Sequence, residues 1–400
     1  MDSKAQQFSL PDSSRLSGLA PHTIWLFRLD AKIAELRAAG ADIINLGVGN
    51  PDQPTHPDVV AAGQLALADP ANHRYPDQTG TPQFRQAVAH YYARNFGVSD
   101  LDPESQVVPT LGSQEALFNL TMAFTSPGDV VLSGDPGYPI HVSGPVLAGA
   151  TPEYIPLDPS RGFAPDYASV PAAVAEAAKL MYLCYPNNPT GAVGTPEIFE
   201  EAIAFAHEHG VFIVHDFAYG DLGLDGFRPR SFLATPGAIE VGVELYSLTK
   251  GHNMAGWRVG SVVGRADAIE RYLAVKAEVD CGTFHAVQAA AVAALAPSAD
   301  AATRELSDMY TRRREVVAGA LEQAGIPVQR QRATPYVWSP VPNGYESCEA
   351  FAQFVLETAN VAISPGWAFG PSGTGYFRIS LMADDAVLAE AASRLAALPS

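Results

Sequence analysis

Short runs of apolar, often β-branched residues alternate with stretches of helical periodicity through the middle of the chain. Val130-Val131-Leu132, Leu180-Met181-Tyr182-Leu183-Cys184, Val211-Phe212-Ile213-Val214 and Val243-Glu244-Leu245-Tyr246 read as buried strands. Between them, Ser113 to Thr125 and Pro196 to His209 have helical spacing, and Gly210 stands where a helix-terminating glycine belongs. Strand and helix in this alternation predict an α/β fold, a mostly parallel sheet covered by helices on both faces. Past about residue 265 the texture changes. A long charged helix is expected from Asp300 to Gln323, strands at Tyr336-Val337-Trp338 and Tyr376 to Leu381, and a closing helix from Asp385 to Ala397. The pattern divides the chain into a large domain over residues 51–295 and a smaller α+β domain over residues 296–400, with residues 1–50 packing on the small domain.

Composition narrows the function classes. With 25 Lys+Arg against 43 Asp+Glu the formal charge is −18, which excludes a basic nucleic-acid footprint. A hydrophobic fraction of 47% supports a large core. No apolar run approaches the roughly 18–20 residues of a membrane span, and the polar start of the chain has no secretory character. Cys184, Cys281 and Cys348 are odd in number and widely spaced, so they predict buried or half-buried thiols in a reducing, cytoplasmic setting, without a disulfide framework or a zinc site. His207-Glu208-His209 lacks metalloprotease spacing and reads as a solvated helix end, no metal is expected, and Arg312-Arg313-Arg314 reads as a solvated helix face.

Ligands of open α/β sheets sit beyond the carboxyl ends of the strands, so those positions carry the chemistry. Val107-Val108-Pro109-Thr110 is followed by Leu111-Gly112-Ser113-Gln114, a turn opening a helix. It serves either as an ordinary serine cap or as an anion site built from free N–H groups. Cys184 is followed by Tyr185-Pro186-Asn187-Asn188-Pro189-Thr190-Gly191, a turn-forming loop with two adjacent amides. Asp216 ends an apolar strand, where it either caps the next helix or faces a cationic partner. Only five of the 25 basic residues are lysines, and only Lys250 lies in a Ser/Thr/Gly-rich loop at a strand end, eight residues before Arg258. A desolvated amine near an arginine has a lowered pKa and suits covalent chemistry with an aldehyde.

Taken in order, Asn-Asn-Pro-Thr-Gly at 187–191, Asp216-Phe217-Ala218-Tyr219, Ser247-Leu248-Thr249-Lys250 and Gly256-Trp257-Arg258-Val259-Gly260 resemble the pyridoxal-phosphate aminotransferases of fold type I, class I/II. The resemblance runs from Asn45-Leu46-Gly47-Val48-Gly49 to Tyr376-Phe377-Arg378-Ile379-Ser380. It implies a sheet of the seven-stranded type and a pyridoxal 5'-phosphate cofactor. It implies Lys250 as the Schiff-base lysine and proton carrier, Asp216 as the partner of the ring nitrogen, and Tyr219 and Asn188 as donors to the ring oxygen. Gly112, Ser113, Gln114, Ser247 and Arg258 are implied to hold the phosphate, with Tyr75 supplied from the neighbouring subunit of a homodimer whose active site lies at the subunit interface. Tyr138 is implied to stack on the ring, Arg378 to grip the substrate carboxylate, and Gly49 and Asn188 to line that pocket.

The implied reaction is amino transfer between an L-amino acid and a 2-oxo acid by a ping-pong route. A lyase, decarboxylase or cyclising enzyme on the same fold is the alternative, and a non-catalytic regulator lacks the DNA-binding module it needs. Residues 216–219 with 253–258 most resemble the branch of LL-diaminopimelate, N-succinyldiaminopimelate and alanine aminotransferases. The substrate is accordingly expected to be of diaminopimelate type, alanine, or glutamate with 2-oxoglutarate. Arg15 and Arg28 are the N-terminal candidates for a second substrate carboxylate.

Overall fold

The computed structural model describes residue 19 and residues 21–399. Thirteen strands run through these residues in chain order: β1 (Ile44–Asn45), β2 (Val107–Thr110), β3 (Val130–Asp135), β4 (Thr151–Asp158), β5 (Ala164–Pro165), β6 (Ala178–Cys184), β7 (Phe212–Phe217), β8 (Gly242–Ser247), β9 (Gly260–Gly264), β10 (Tyr336–Pro340), β11 (Val361–Ala362), β12 (Ser364–Pro365) and β13 (Tyr376–Ser380). Four of them extend past the apolar runs that announce them. The ladders β6–β7 and β7–β8 continue through Asp216, which is paired with Cys184 on one side and Leu245 on the other. A polar residue that a pattern reading puts just after a strand is therefore held by the sheet itself.

The main sheet has the order β2-β9-β8-β7-β6-β3-β4-β5. Strands β8, β7, β6, β3 and β4 are parallel, β9 is antiparallel to β8 and to β2, and the two-residue β5 edges the sheet antiparallel to β4. Seven longer strands and this short edge make the mostly parallel sheet that the resemblance implied. Because β2 opposes β9 and β9 opposes β8, the carboxyl ends of β2, β3, β6, β7 and β8 share one edge, and β9 begins there. Arg258 precedes β9 by two residues and is thereby brought to the same edge.

Buried side chains cover both faces. Phe199, Ile213, Phe217 and Tyr246 belong to one cluster, and Leu117, Tyr182, Val214 and Leu245 to another. The helix Pro196–His209 is capped by Thr195 Oγ1, which accepts from Ile198 N, and is ended by Gly210 at φ 68°. A third cluster joins the helices Asp300–Gln323, Cys348–Ala359 and Asp385–Ala396 to β10 and β13, with Leu46 and Tyr219 included. β1 pairs with β11, and Leu29, Ile33 and Ile43 pack with Leu356 and Ala362. Among the described residues no helix is long and apolar enough to cross a membrane.

Two readings are corrected. Arg313 and Arg314 are buried, not solvated: they are 4% and 3% exposed. Arg313 forks onto Asp52 with two 2.8 Å bonds and also holds Asp385, and Arg314 donates to Gln331 O and Asp225. A guanidinium tolerates burial when its donors are paired in this way. Lys276, on the helix Ala266–Val279, is fully buried between Asp280 (2.8 Å) and Glu115 (3.6 Å). Cys281 is exposed, while Cys184 and Cys348 are buried.

Candidate active site

At the shared carboxyl edge a cavity of about 130 Å³ is lined by Ser113, Gln114, Tyr138, Asn188, Asp216, Tyr219, Ser247, Lys250 and Arg258, together with Cys184, Ala218 and Thr249. The fold thus gathers nine expected site residues in one place. Gly112 adjoins it as the residue before Ser113. Gly49 and Arg378 reach it through neighbours: Lys250 Nζ donates to Gly49 O at 2.5 Å, and Arg378 Nη1 donates to Asn188 Oδ1 at 2.8 Å. Tyr75 is not brought in. It is 89% exposed on its own chain. Arg28 is exposed on the helix Pro21–Ala38 and does not line the cavity, and Arg15 lies outside the described residues.

The cavity is built to receive an anion. The helix Ser113–Phe124 starts after Gly112, at φ 83°, with no side-chain cap on its first N–H groups. Uncapped N–H groups and the positive end of the helix dipole attract negative charge. Arg258 faces the same turn, held in the left-handed region at φ 53° by bonds from its guanidinium to Ala255 O and Leu111 O. That conformation is strained for a residue with a side chain and marks a functional constraint. A Cβ on Gly112 would collide with the guanidinium, so only glycine keeps turn and arginine this close.

A second anion position lies at Arg378. This residue is 5% exposed, donates to Asn188 Oδ1 and Gly47 O, and leaves Nε without a partner. No carboxylate pairs with Arg258 or Arg378 among the described residues, although the chain carries 43 acids. Burial, opposed by the nearby tyrosines, holds the Arg378 guanidinium below its ordinary pKa. A buried guanidinium at Arg378 and an exposed one at Arg258, neither paired with an acid among the described residues, suit a ligand bearing two separate anionic groups.

Between these positions stands Lys250, on the short helix Leu248–Gly251 whose first turn is capped by Ser247 Oγ. Burial lowers its amine below the ordinary lysine range, and the charges of Arg378 and Arg258 add to this against the opposing pull of Tyr336. Its contacts are Gly49 O and Met382 Sδ, so no acid holds its proton. Asp216 is the one acid in the cavity and is 3% exposed. It accepts from Ala218 N at 3.3 Å and lies 3.2 Å from His141 Nε2, and no Lys or Arg reaches it among the described residues. A buried carboxylate so placed favours a cationic ligand atom. Burial pushes Tyr138 up to about 12 and raises Tyr219 well above the ordinary phenol range, so both remain neutral donors.

Sequence reasoning missed His141 and Tyr336. His141 stacks on Tyr182 at 5.0 Å and orients Asp216, and its spacing of three from Tyr138 was the available signal. Tyr336 was read as a strand residue. Its hydroxyl lies 3.1 Å from that of Tyr219, a pairing across 117 residues that no local pattern announces.

Residues 41–395 match the family described as aminotransferase class I and II. The chain is 46% identical over 388 residues to an LL-diaminopimelate aminotransferase of Desulforudis audaxviator, covering 97% of each chain. It is 45% identical over 367 residues to the L-glutamine--4-(methylsulfanyl)-2-oxobutanoate aminotransferase of Bacillus subtilis, covering 92% of each. Its fold superposes on substrate-bound BacF from Bacillus subtilis with a TM-score of 0.91 at 36% identity, covering 97% of this chain and 98% of that one. Both sequence relatives transfer amino groups, which decides against the lyase, decarboxylase and cyclising alternatives. The chain is an aminotransferase and belongs to class I and II.

Proposed function

We propose that the cavity holds pyridoxal 5'-phosphate and that the protein moves the amino group of an L-amino acid of diaminopimelate type, with alanine and glutamate the other donors, to a 2-oxo acid. The observation that carries this reading is the placement of Lys250, with its lowered amine pKa, between the unpaired guanidinium groups of Arg258 and Arg378. The residues fit the cofactor. Gly112, Ser113, Gln114, Ser247 and Arg258 would hold its phosphate, Asp216 its ring nitrogen, Asn188 and Tyr219 its ring oxygen, and Tyr138 one ring face. Bound there, it would supply an aldehyde carbon and a ring able to accept the electron pair left at the amino acid's α-carbon.

The chain's residues account for the remaining steps. Arg378 binds the substrate carboxylate with Asn188 and Gly49 at its side and fixes the α-carbon. With the cofactor bound, Lys250 would take the α-proton at Nζ and hold it for the reprotonation that completes the half-reaction. Asp216 keeps its negative charge opposite the ring nitrogen and is steadied by His141. The same groups run the return half with a 2-oxo acid, which makes the kinetics ping-pong.

The reading includes a homodimer with Tyr75 offered to the neighbouring protomer's phosphate. Leu65, Leu67, Tyr75, Val279 and Phe284 are 78%, 53%, 89%, 54% and 38% exposed, and contacts such as Asp77 N to His285 Nε2 and Asn72 Nδ2 to Ala66 O join the segments that carry them. An apolar surface of this kind suits burial against a second copy. The reading keeps the division into residues 1–50, 51–295 and 296–400, which the cluster joining the C-terminal helices to β10 and β13 supports, and the thiol content suits a cytoplasmic setting.

Single amino acids added to the loaded protein test the reaction. The expected result is conversion of the cofactor to its aminated form, strongest with LL-diaminopimelate and reversed by 2-oxo acids. Release of ammonia or carbon dioxide without that conversion would contradict the proposal.

A further inference from the structure

We propose that Tyr336 is a positioning residue of this site: its hydroxyl aims the hydroxyl of Tyr219, and its ring seats the guanidinium of Arg378. The inference rests on the cofactor reading above and adds a residue that reading does not use. In the β10–β13 ladder Trp338 lies opposite Arg378 and Tyr336 opposite Ser380, so Tyr336 and Arg378 are diagonal neighbours on one face. The Arg378 guanidinium is sandwiched between two rings, 4.2 Å from the centre of Tyr336 and 4.5 Å from that of Phe369. Tyr336 is 2% exposed, and its Oη lies 3.1 Å from that of Tyr219. The fit against the opposite wall is tight, since a Cβ on Gly49 would collide with the Tyr336 hydroxyl.

Proton counting sets the direction of the bond. Each phenol has one proton. If Tyr219 spends its proton on the ring oxygen of the cofactor, its own oxygen can only accept, so Tyr336 donates to it. A phenol that accepts one hydrogen bond becomes a stronger donor in the next. The groups facing the pair are Lys250 and Arg378, with Cys184, Tyr138 and Tyr310 beyond. Burial on its own raises the Tyr336 phenol, but the charges of Lys250 and Arg378 outweigh it and leave the phenol below its ordinary value, which makes it a better donor.

Two variants separate the two tasks. Tyr336→Phe keeps the ring and loses the hydroxyl. Weaker donation from Tyr219 stabilises the ring-oxygen anion less, so the pH midpoint of the bound cofactor's visible absorbance is expected to rise by a few tenths of a unit. The KM for the amino donor should stay within about twofold, because the cation–ring contact survives. Tyr336→Leu removes both contacts, giving the same upward shift and a KM raised about tenfold. An unshifted midpoint in Tyr336→Phe, with a wild type that titrates normally, overturns this proposal alone, as does an equal KM in the two variants. A wild type with no pH-dependent visible band overturns the cofactor reading and this proposal with it.

Discussion

Replacing Lys250 by alanine is expected to abolish the visible absorbance of the bound cofactor and to lower transamination at least about 10⁴-fold, the upper range for loss of a general acid–base group. On the proposed reading two functions fail together: the covalent anchor, and the one lysine amine that lines the cavity among the described residues. The fold should survive. Lys250 forms no salt bridge among the described residues, and its hydrogen bonds are to Gly49 O and Met382 Sδ, so alanine removes a half-buried amine that no acid pairs. An unchanged thermal midpoint of the cofactor-free variant, beside a lost absorbance band, is the result that separates chemistry from folding. A variant that kept the band would place the covalent lysine elsewhere.

Asp216→Asn is the second large effect. The amide is nearly the same shape and still accepts from Ala218 N, so the β7 terminus and the packing of His141 are retained. What is lost is the charge that the proposed function places opposite the ring nitrogen. Breaking a buried ion pair costs about 3–5 kcal/mol, equivalent to roughly 10²–10⁴-fold in the rate of α-proton removal. The sign of the pH dependence follows. Without the carboxylate the ring nitrogen holds its proton less tightly, so the variant's activity should rise as pH falls, opposite to any effect of unfolding. Single-turnover rates across pH check this, and a variant as fast as wild type would remove Asp216 from its assigned role.

Much of this site was legible because its chemistry stands at the ends of strands that hydrophobic patterning locates. Lys250 is one of five lysines, and only its position at the end of β8 distinguishes it. Asp216 was found in the same way, although its place inside the ladder was not visible, since an apolar run stops at the first polar residue while backbone pairing continues. The residues that escaped depend on partners distant in sequence. Tyr336 meets Tyr219, and His141 meets Asp216, at separations of 117 and 75 residues. Arg313 looks solvated in a charged helix until the chain returns Asp52 to it across 261 residues. Local pattern records which face a residue takes within its own element, but not which remote side chain the fold brings against it.

The most direct test of the central claim is to reduce the cofactor-loaded wild-type protein with borohydride, digest it and locate the added phosphopyridoxyl mass. The geometry predicts one adduct per chain, on the peptide containing Lys250. An adduct on Lys4, Lys32, Lys179 or Lys276, or no adduct in a protein that transfers amino groups, would contradict it.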